Sequence, residues 1–415
     1  MFAADNRAFV ARQHDEPGYA AAARGADQLL ADLGVSYRSL PYYFRIGAAT
    51  HAALARATHV LVRAQDKLLR HLVATHSAGQ LTAMFEVPPD MASLIDWADL
   101  ASAGLRMLRA DIIPTEAGYY FCELNHFSGV GAGESYHSAH AFAELLNRPV
   151  AGVSPFRQLA HLYVTQCRPA GLTRVVVLDT PQHRAQGFGE HVMLKRYLRL
   201  MAPDLETSYH DEHTYPPHWL RPDEAKRTLV HRLVTHDDTP DGGAFLALLR
   251  DRGATVSCMF EAELKMHRRW FSLLCDPGYQ HLLDAEELAT IEQYVPHTYD
   301  LHPGNLDAAV ADKDRLVFKR SYTYGGKGVL IGEEHPPGPL HALLTADGSA
   351  WVAQRRVPTS SLDLRAADGG TATFRFVLGM FLYGEHASGL LVRASARSHV
   401  VNVSQGGGAS WAFVE

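Results

Sequence analysis

Four polar side chains of the kind that binds metal ions and phosphate occur at alternate positions of one short stretch. They are Arg109, Asp111, Glu123 and Asn125, within the segment LRMLRADIIPTEAGYYFCELN that ends at Asn125. Mg²⁺ takes hard oxygen ligands, typically one or two carboxylates together with substrate phosphates and water. The stretch therefore predicts a magnesium site at Asp111, Glu123 and Asn125, with Arg109 neutralising an anion held by the metal.

The element expected to position these side chains is a β-hairpin. Two runs of β-type residues, 105–113 and 119–125, flank a five-residue segment whose proline and glycine are typical of a turn. If that loop pairs Ile113 with Tyr119, Arg109 lies opposite Glu123. The four polar side chains then line one side, because side chains alternate along a strand.

The other face of the second strand, Tyr120, Cys122 and Leu124, suits a hydrophobic core. Charged residues are depleted in strands, so four polar side chains on one face of a hairpin require an explanation. A solvated outer face with one Arg-Glu pair across the strands is the alternative to a metal site.

A lysine and a glycine-rich loop form a second group near the carboxyl end. Strand-like runs at 316–319 and 329–331 bracket the loop 320–328, whose backbone N–H groups could bind phosphate. Lys319 shares a strand face with Val317, where a lysine is unfavourable unless an anion pairs with it. Phosphate is the expected partner, and an edge-strand lysine that discourages aggregation is the alternative.

Polar side chains also interrupt later apolar strands. Gln354 lies in a strand that could lead into a nucleotide-binding hinge, and Arg375 and Arg393 each occur within apolar runs. Together with Lys319, these arginines predict a cleft that binds anions, although ordinary ion pairs would give the same pattern. A Walker A motif is excluded, because Ser321 stands at its first glycine position and a strand follows the loop.

Composition indicates an ordinary globular protein. The chain has 415 residues, 47% hydrophobic and 20% charged, and a net charge of −6, which does not indicate a nucleic-acid or membrane partner. The amino terminus has no apolar signal-like core, and no apolar run reaches membrane-spanning length. We expect a cytoplasmic protein whose four cysteines are reduced.

The coarse organisation changes along the chain. Residues 1–100 are predicted to be a helical lead-in, with helices at 20–33 and 52–76 and Gly34 as a helix C-terminal glycine. From Thr173, strands alternate with helices, which predicts an α/β, partly parallel layer. The last hundred residues return to strand-like patterns, including one at 400–404.

These motifs together resemble a known family. Arg-x-Asp, then Glu-x-Asn, a later lysine strand with a Gly-Gly-x-Gly loop, and the terminal VNVSQGGG resemble the circularly permuted ATP-grasp enzymes, including glutathionylspermidine synthetase. In ordinary ATP-grasp chains the lysine strands precede the metal-ligand strands, and here the order is reversed. One departure is that the family's lysine-proline pair is Lys319-Arg320.

The resemblance implies an α/β (α+β) fold, a circularly permuted ATP-grasp with a Rossmann-like pre-ATP-grasp layer and a helical lead-in. The expected regions are a helical part at 1–100, the metal-ligand part at 101–170, a Rossmann-like domain at 171–303, and the nucleotide-binding lid with the last ATP-grasp strands at 304–415.

The resemblance also implies roles for individual residues, with ATP and Mg²⁺ as cofactors. Asp111, Glu123 and Asn125 would bind the metal, while Arg109 and Arg393 would act on the transferred group. The nucleotide would be bound by Lys319, Gly325, Gly326, Gln354, Arg375 and Asn402. Lys265 and Lys327 both remain candidates for the family's second nucleotide lysine.

The implied activity is that of an ATP-dependent carboxylate-amine ligase. A substrate carboxylate would attack the γ-phosphoryl group of ATP, and an amine would then displace phosphate from the acyl phosphate to form an amide. The substrates would be a small carboxylate and an amine, with amino acids and a carrier-bound substrate both open. The alternatives are a phosphotransferase on the same fold and a non-catalytic nucleotide-binding protein.

Overall fold

The computed structural model describes residues 1–97, 100, 106–129, 131–186, 189–239, 243–323, 328–346, 348, 350–365, 370–401, 403 and 406–415. Within these residues, every helix is too short or too polar to cross a lipid bilayer.

The amino-terminal region is helical, as its sequence predicts. Its elements are α1 (Phe2–Asp15), α2 (Tyr19–Asp32), β1 (Phe44–Ile46), α3 (Ala48–Thr75), α4 (Ala78–Met84) and α5 (Pro89–Leu94). The predicted helices at 20–33 and 52–76 are confirmed as α2 and α3. Gly34 follows α2 with φ of +74°, which glycine adopts without steric cost. It lets Val35 N–H bond Leu30 O at 2.8 Å, so the helix ends where expected.

The middle of the chain begins with the hairpin and continues with alternating strands and helices. The elements are β2 (Met107–Pro114), β3 (Tyr119–Asn125), α6 (Ser135–Leu145), α7 (Pro155–Cys167), β4 (Arg174–Leu178), α8 (Pro181–Gln186), α9 (Glu190–Met201), β5 (Glu206–His210), α10 (Pro222–Ala225), β6 (Thr228–Arg232), α11 (Ala244–Asp251), β7 (Thr255–Val256), α12 (Phe260–Lys265), α13 (Arg269–Cys275) and α14 (Ala285–Tyr294). Strands β4 to β7 pair in parallel in the order β5-β4-β6-β7, which confirms the predicted parallel layer.

The rest of the chain is rich in strands. The elements are β8 (Thr298–Asp300), α15 (Leu306–Ala311), β9 (Leu316–Arg320), β10 (Val329–Ile331), α16 (Pro337–Thr345), β11 (Trp351–Arg355), β12 (Ser361–Arg365), β13 (Thr371–Tyr383), β14 (His386–Ser395) and β15 (Gly408–Val414). The prediction of a strand at 400–404 is wrong for its described residues. Val400 and Val401 instead line a cleft, so their apolar side chains are covered there although these two residues pair with no strand.

Two sheets in this part of the structure position the candidate site. The larger runs β1-β15-β14-β13-β2-β3, with β12 paired to β13, so the hairpin is joined to the last strands of the chain. The smaller is antiparallel, in the order β10-β9-β11-β8, and packs on α15 and α16. Strand β8 thus lies in the lysine sheet although it precedes the predicted boundary at 303.

The large sheet is covered on both faces, which fixes the hairpin rigidly. One face packs against α1 and α3, where Leu54, Leu61, Leu68 and Leu72 are buried. The other packs against α6 and α7 and the parallel sheet beyond them. Each fully buried leucine contributes about 1.5–3 kcal/mol of transfer free energy, so α3 anchors the sheet that carries the polar residues.

Candidate nucleotide and metal site

A cleft of about 380 Å³ separates the large sheet from the lysine sheet. Its apolar wall is formed mainly by Val317, Val329, Ile331 and Val357. Charged side chains come from both sheets and from the segment between α12 and α13, and they include Asp111, Glu123, Arg268, Lys319, Arg375 and Arg393. Arg355 and Arg356 also line the cleft, which therefore combines an apolar surface with two carboxylates and a larger number of cations.

The predicted hairpin is confirmed, but its register is not the one expected. Pro114 pairs with Tyr119, and a bulge after Asp111 then places Asp111 opposite Glu123 and Arg109 opposite Asn125. The prediction that Arg109 faces Glu123 is thus wrong. The extra residue of the bulge shifts the partner strand by one position, which a simple alternation cannot show.

The bulge also changes the position of Cys122. The alternation placed Cys122 in the core, but it lines the cleft beside Glu123. Its Sγ contacts Asp111 O at 3.4 Å, and burial raises the pKa of its thiol to about 12. The cysteine is therefore a neutral wall residue, while Phe121 and Leu124 supply the buried contacts of β3.

Asp111 is the centre of a buried charge cluster. Its carboxylate receives Arg109 Nε at 2.8 Å and Nη2 at 3.2 Å, Arg393 Nη2 at 2.7 Å, and Asn125 Nδ2 at 3.2 Å. Burial alone would raise its pKa, but the guanidinium groups of Arg109 and Arg393 lower it to about 2. Asp111 is thus a carboxylate at any physiological pH.

Glu123 lies across the strand pair from Asp111 and is more exposed. Its side chain keeps 26% of its accessible surface, and its Oε1 lies 3.4 Å from Arg268 Nε. Arg268 Nη1 also donates to Arg320 O at 3.0 Å and to Thr323 Oγ1 at 2.7 Å. Arg268 therefore connects the hairpin to the beginning of the glycine-rich loop.

Lys319 is buried at the opposite wall of the cleft. Its Nζ donates to Cys122 O at 3.0 Å and to Gln354 Oε1 at 2.7 Å. Both of these acceptors are neutral, and no carboxylate accepts a hydrogen bond from Lys319 among the described residues, so phosphate as its partner stays a prediction. Burial lowers its pKa, because the charged ammonium is poorly solvated there.

The remaining predicted residues separate into three groups. Arg375 and Arg393 line the cleft, and Arg393 Nε is buried without a partner among the described residues. Lys265 is not brought to the cleft, because its Nζ pairs with Asp66 at 3.2 Å. Gly325, Gly326, Lys327 and Asn402 lie outside the described residues.

The donor chemistry of the hairpin fits Mg²⁺ in part. The oxygens of Glu123 and Asp111 line one cavity from facing positions, and the ion takes such ligands together with phosphate and water. Asp111, however, already accepts from two arginines and an amide. A metal bound by both carboxylates would therefore require Asp111 to give up part of its contact with Arg393 or Asn125. No group of three or more histidine, cysteine or acidic side chains suited to a metal occurs in the described part of the chain.

Two residues of the site were not identified from the sequence. Arg268 lies between two helices and beside Arg269, so no strand pattern marks it. Thr298 donates to Pro296 O and accepts from Gln354 Nε2, in a strand of only three residues. Thr298 and Gln354 are 56 residues apart, so no sequence pattern links them.

Comparison with known proteins establishes the fold. No family model matches the chain, and no curated protein matches it in sequence. Its structure is similar to that of a glutathione synthetase-like effector from Globodera pallida in its apo form, with a TM-score of 0.61 over 95% of this chain and 96% of that one. The two are 10% identical, so the likeness concerns the fold. The chain therefore shares the mixed α and β fold of that protein.

Proposed function

We propose that the chain is an ATP-dependent carboxylate-amine ligase with a circularly permuted ATP-grasp fold. The observation that carries the proposal is the cleft, in which an apolar wall meets Lys319, Arg268, Arg393 and the carboxylate of Glu123. A nucleoside triphosphate has the matching chemistry, since it joins an apolar base to a polyanion that binds cations and a metal. The order of elements supports the permutation, because the hairpin β2–β3 precedes the lysine strand β9.

The nucleotide would lie with its base against Val317, Val329 and Ile331 and its phosphates toward the hairpin. Lys319 and Arg268 lie on the path between these two ends and would bind the phosphates. Because Lys265 is held by Asp66, Arg268 is our candidate for a second phosphate-binding cation, and Lys327 stays a candidate beside it. This assignment gives the phosphates two cations from separate segments of the chain.

The hairpin would bind the metal and the reacting group. Glu123 and Asp111 would hold Mg²⁺, with Asn125 as a further oxygen ligand, and the bound ion would neutralise charge on the transferred phosphoryl group. Arg393 has a buried Nε in the cleft that finds no partner in the described part of the chain, and that group can donate to an anionic oxygen. Arg109 holds Asp111 through two hydrogen bonds, so it acts on the reaction through that carboxylate.

The reaction would proceed in two displacements. An oxygen of the substrate carboxylate forms a bond to the γ-phosphorus of ATP while the bond to ADP breaks. The nitrogen of a neutral amine then bonds the acyl carbon, the bond between that carbon and the phosphate oxygen breaks, and the departing phosphate takes up the proton that the nitrogen loses. Both steps gather negative charge at phosphate oxygens, which the cations of the cleft would stabilise. The substrates are a small carboxylate and an amine.

Two other functions use the same cleft. A phosphotransferase would release a phosphorylated product and need no amine, and a non-catalytic protein would bind ATP without hydrolysing it. The intact pair Asp111 and Glu123, together with Lys319, favours an enzyme over a binding protein.

The test is a measurement of ADP and phosphate release with ATP, Mg²⁺ and a panel of carboxylates and amines, including amino acids. A ligase releases both products only when acid and amine are present together. Release of ADP with acid alone and no free phosphate would identify the phosphotransferase, and tight ATP binding without turnover would identify the binding protein.

Glu123→Gln is the matched inactive variant for this assay. We expect it to abolish turnover, because it removes charge from the metal site, and to keep the fold, because Glu123 is partly exposed. A variant that made ADP at the parent rate at limiting Mg²⁺ would exclude Glu123 from the metal site.

A further inference from the structure

Three neighbouring strands connect Lys319 to a backbone carbonyl through two buried side chains. Thr298 Oγ1 donates to Pro296 O at 2.7 Å, Gln354 Nε2 donates to Thr298 Oγ1 at 3.0 Å, and Lys319 Nζ donates to Gln354 Oε1 at 2.7 Å. Gln354 stands directly opposite Thr298 in the pairing of β11 with β8, and β9 is the next strand of the sheet. The hydrogen bonds thus run along a fixed cross-strand path.

The direction of each hydrogen bond in this chain is determined by the first one. A threonine hydroxyl has one hydrogen, and the carbonyl of Pro296 accepts it. The same oxygen can then only accept from Gln354, so the amide nitrogen must face Thr298. The amide oxygen is left facing Lys319, where it accepts from the ammonium. The hydroxyl of Thr298 at one end and the ammonium of Lys319 at the other therefore favour the same orientation of the Gln354 amide.

Burial makes the alternative orientation costly. Thr298, Gln354 and Lys319 keep 1%, 4% and 9% of their accessible surface. If the amide were turned over, its NH₂ group would face the lysine ammonium, and two donors would meet in a region of low dielectric constant. The ammonium of Lys319 has no acceptor, so it favours the same orientation, and the hydroxyl of Thr298 holds the amide in that orientation from the opposite side.

We propose that Thr298 and Gln354 are positioning residues that hold the ammonium of Lys319 in the cleft for an anionic oxygen of the nucleotide. This inference rests on the proposed function in so far as Lys319 binds a phosphate. The ammonium has three donors, and Gln354 and the carbonyl of Cys122 take two of them. The third has no acceptor among the described residues, and its direction is set by the other two. Thr298 reaches the ligand only through Gln354 and Lys319.

The experiment compares Thr298→Val, which removes the hydroxyl and nearly keeps the volume, with Thr298→Ser, which keeps the hydroxyl. Affinity for ATP with Mg²⁺ is measured by calorimetry. We expect the valine variant to bind about fivefold more weakly, because one ordering hydrogen bond is lost, and the serine variant to bind within about twofold of the parent. Equal affinities for the two variants would overturn the proposal.

A double-variant cycle separates this role from general packing. In a Lys319→Met background, Thr298→Val should cause no further loss of ATP affinity, because the group that it positions is absent. A loss that adds to that of Lys319→Met would mean that Thr298 acts by another route. If Thr298→Val fails to fold, Gln354→Met, which removes the acceptor and keeps the length, tests the same link.

A second readout does not depend on nucleotide binding. The rate of reductive methylation of Lys319 in the nucleotide-free protein is followed by mass spectrometry. We expect faster modification in Thr298→Val than in the parent and in Thr298→Ser, because the ammonium is held less firmly. If the parent binds no ATP but this difference is found, the proposed function fails and the positioning stands; if ATP binds and no difference is found, the positioning fails alone.

Discussion

The two ends of the cleft handle buried charge in opposite ways. At the hairpin, Asp111 is surrounded by two guanidinium groups and an amide, so its charge is compensated within the protein. At the lysine end, Lys319 meets only the carbonyl of Cys122 and the amide oxygen of Gln354 among the described residues. The charge of Asp111 is therefore balanced within the protein, whereas Lys319 has no acidic hydrogen-bond partner among the described residues.

The pKa directions agree with this difference. Burial disfavours charge at both positions, but the arginines beside Asp111 outweigh it and lower the pKa of that carboxyl to about 2. For Lys319 burial is the largest effect and the pKa falls, which is the direction for a cation that lacks sufficient counter-charge. Removing the charge of Asp111 should therefore destabilise the protein, whereas removing the charge of Lys319 should not.

The largest effect is expected from Asp111→Asn. The substitution leaves Arg109 and Arg393 buried without their shared counter-charge, which costs about 3–5 kcal/mol of unfolding free energy. Chemical denaturation measures this loss. The matched control is Asp307→Asn, whose side chain is 94% exposed and should change stability by less than about 0.5 kcal/mol. A stable Asp111→Asn protein would show that the arginines find other partners.

The pH dependence of stability gives the next largest effect. The pKa of Asp111 is lowered to about 2, below its value of about 3.9 in an unfolded chain. Its contribution, on the order of 2–3 kcal/mol, is thus fully present above about pH 4 and is lost as the pH falls through about 2. Unfolding free energies of the parent and Asp111→Asn should therefore converge as the pH is lowered from 5 to about 2. A constant difference across that range would contradict the assignment.

Lys319→Met tests the other end. It removes a buried cation with neutral partners, so the unfolding free energy should stay the same or rise by about 1 kcal/mol. Affinity for ATP should fall about 30-fold, since a hydrogen bond from a charged donor is lost. Lys319→Arg should restore binding only in part, because the guanidinium is longer and directs its donors differently. A Lys319→Met protein as destabilised as Asp111→Asn would remove the contrast between the two ends.

The sequence predicted which residues lie at the hairpin end and at the lysine end of the cleft better than it predicted the contacts that these residues make. Strand alternation identifies Arg109, Asp111, Glu123 and Asn125 as one face, and the structure places them on one side of the hairpin. The pairing across the strands depended on a bulge, which follows from backbone geometry and leaves no periodic signal. Cys122 was misplaced for the same reason.

The residue pattern of the sequence could not predict contacts between distant segments of the chain. Lys265 and Arg268 are three residues apart, and the sequence favoured the lysine as a nucleotide ligand. The helix α12 directs Lys265 to Asp66 of α3, while Arg268, just past its end, meets Glu123 and the loop after β9. That distinction rests on how α12 packs against α3, which only the tertiary structure determines.

The smallest effects come from comparing these two neighbours. Arg268→Ala removes a cation from the cleft and the two hydrogen bonds that hold Arg320 O and Thr323 Oγ1. We expect ATP affinity to fall about tenfold, because a charged donor is lost from the phosphate path. Lys265→Met should leave the affinity within about twofold, since Asp66 keeps Arg106 at 3.3 Å and the cleft is untouched. Calorimetry on both variants measures the difference. If Lys265→Met weakened ATP binding more than Arg268→Ala, the nucleotide would have to lie on the α3 side of α12, and neither end of the cleft described above would hold its phosphates.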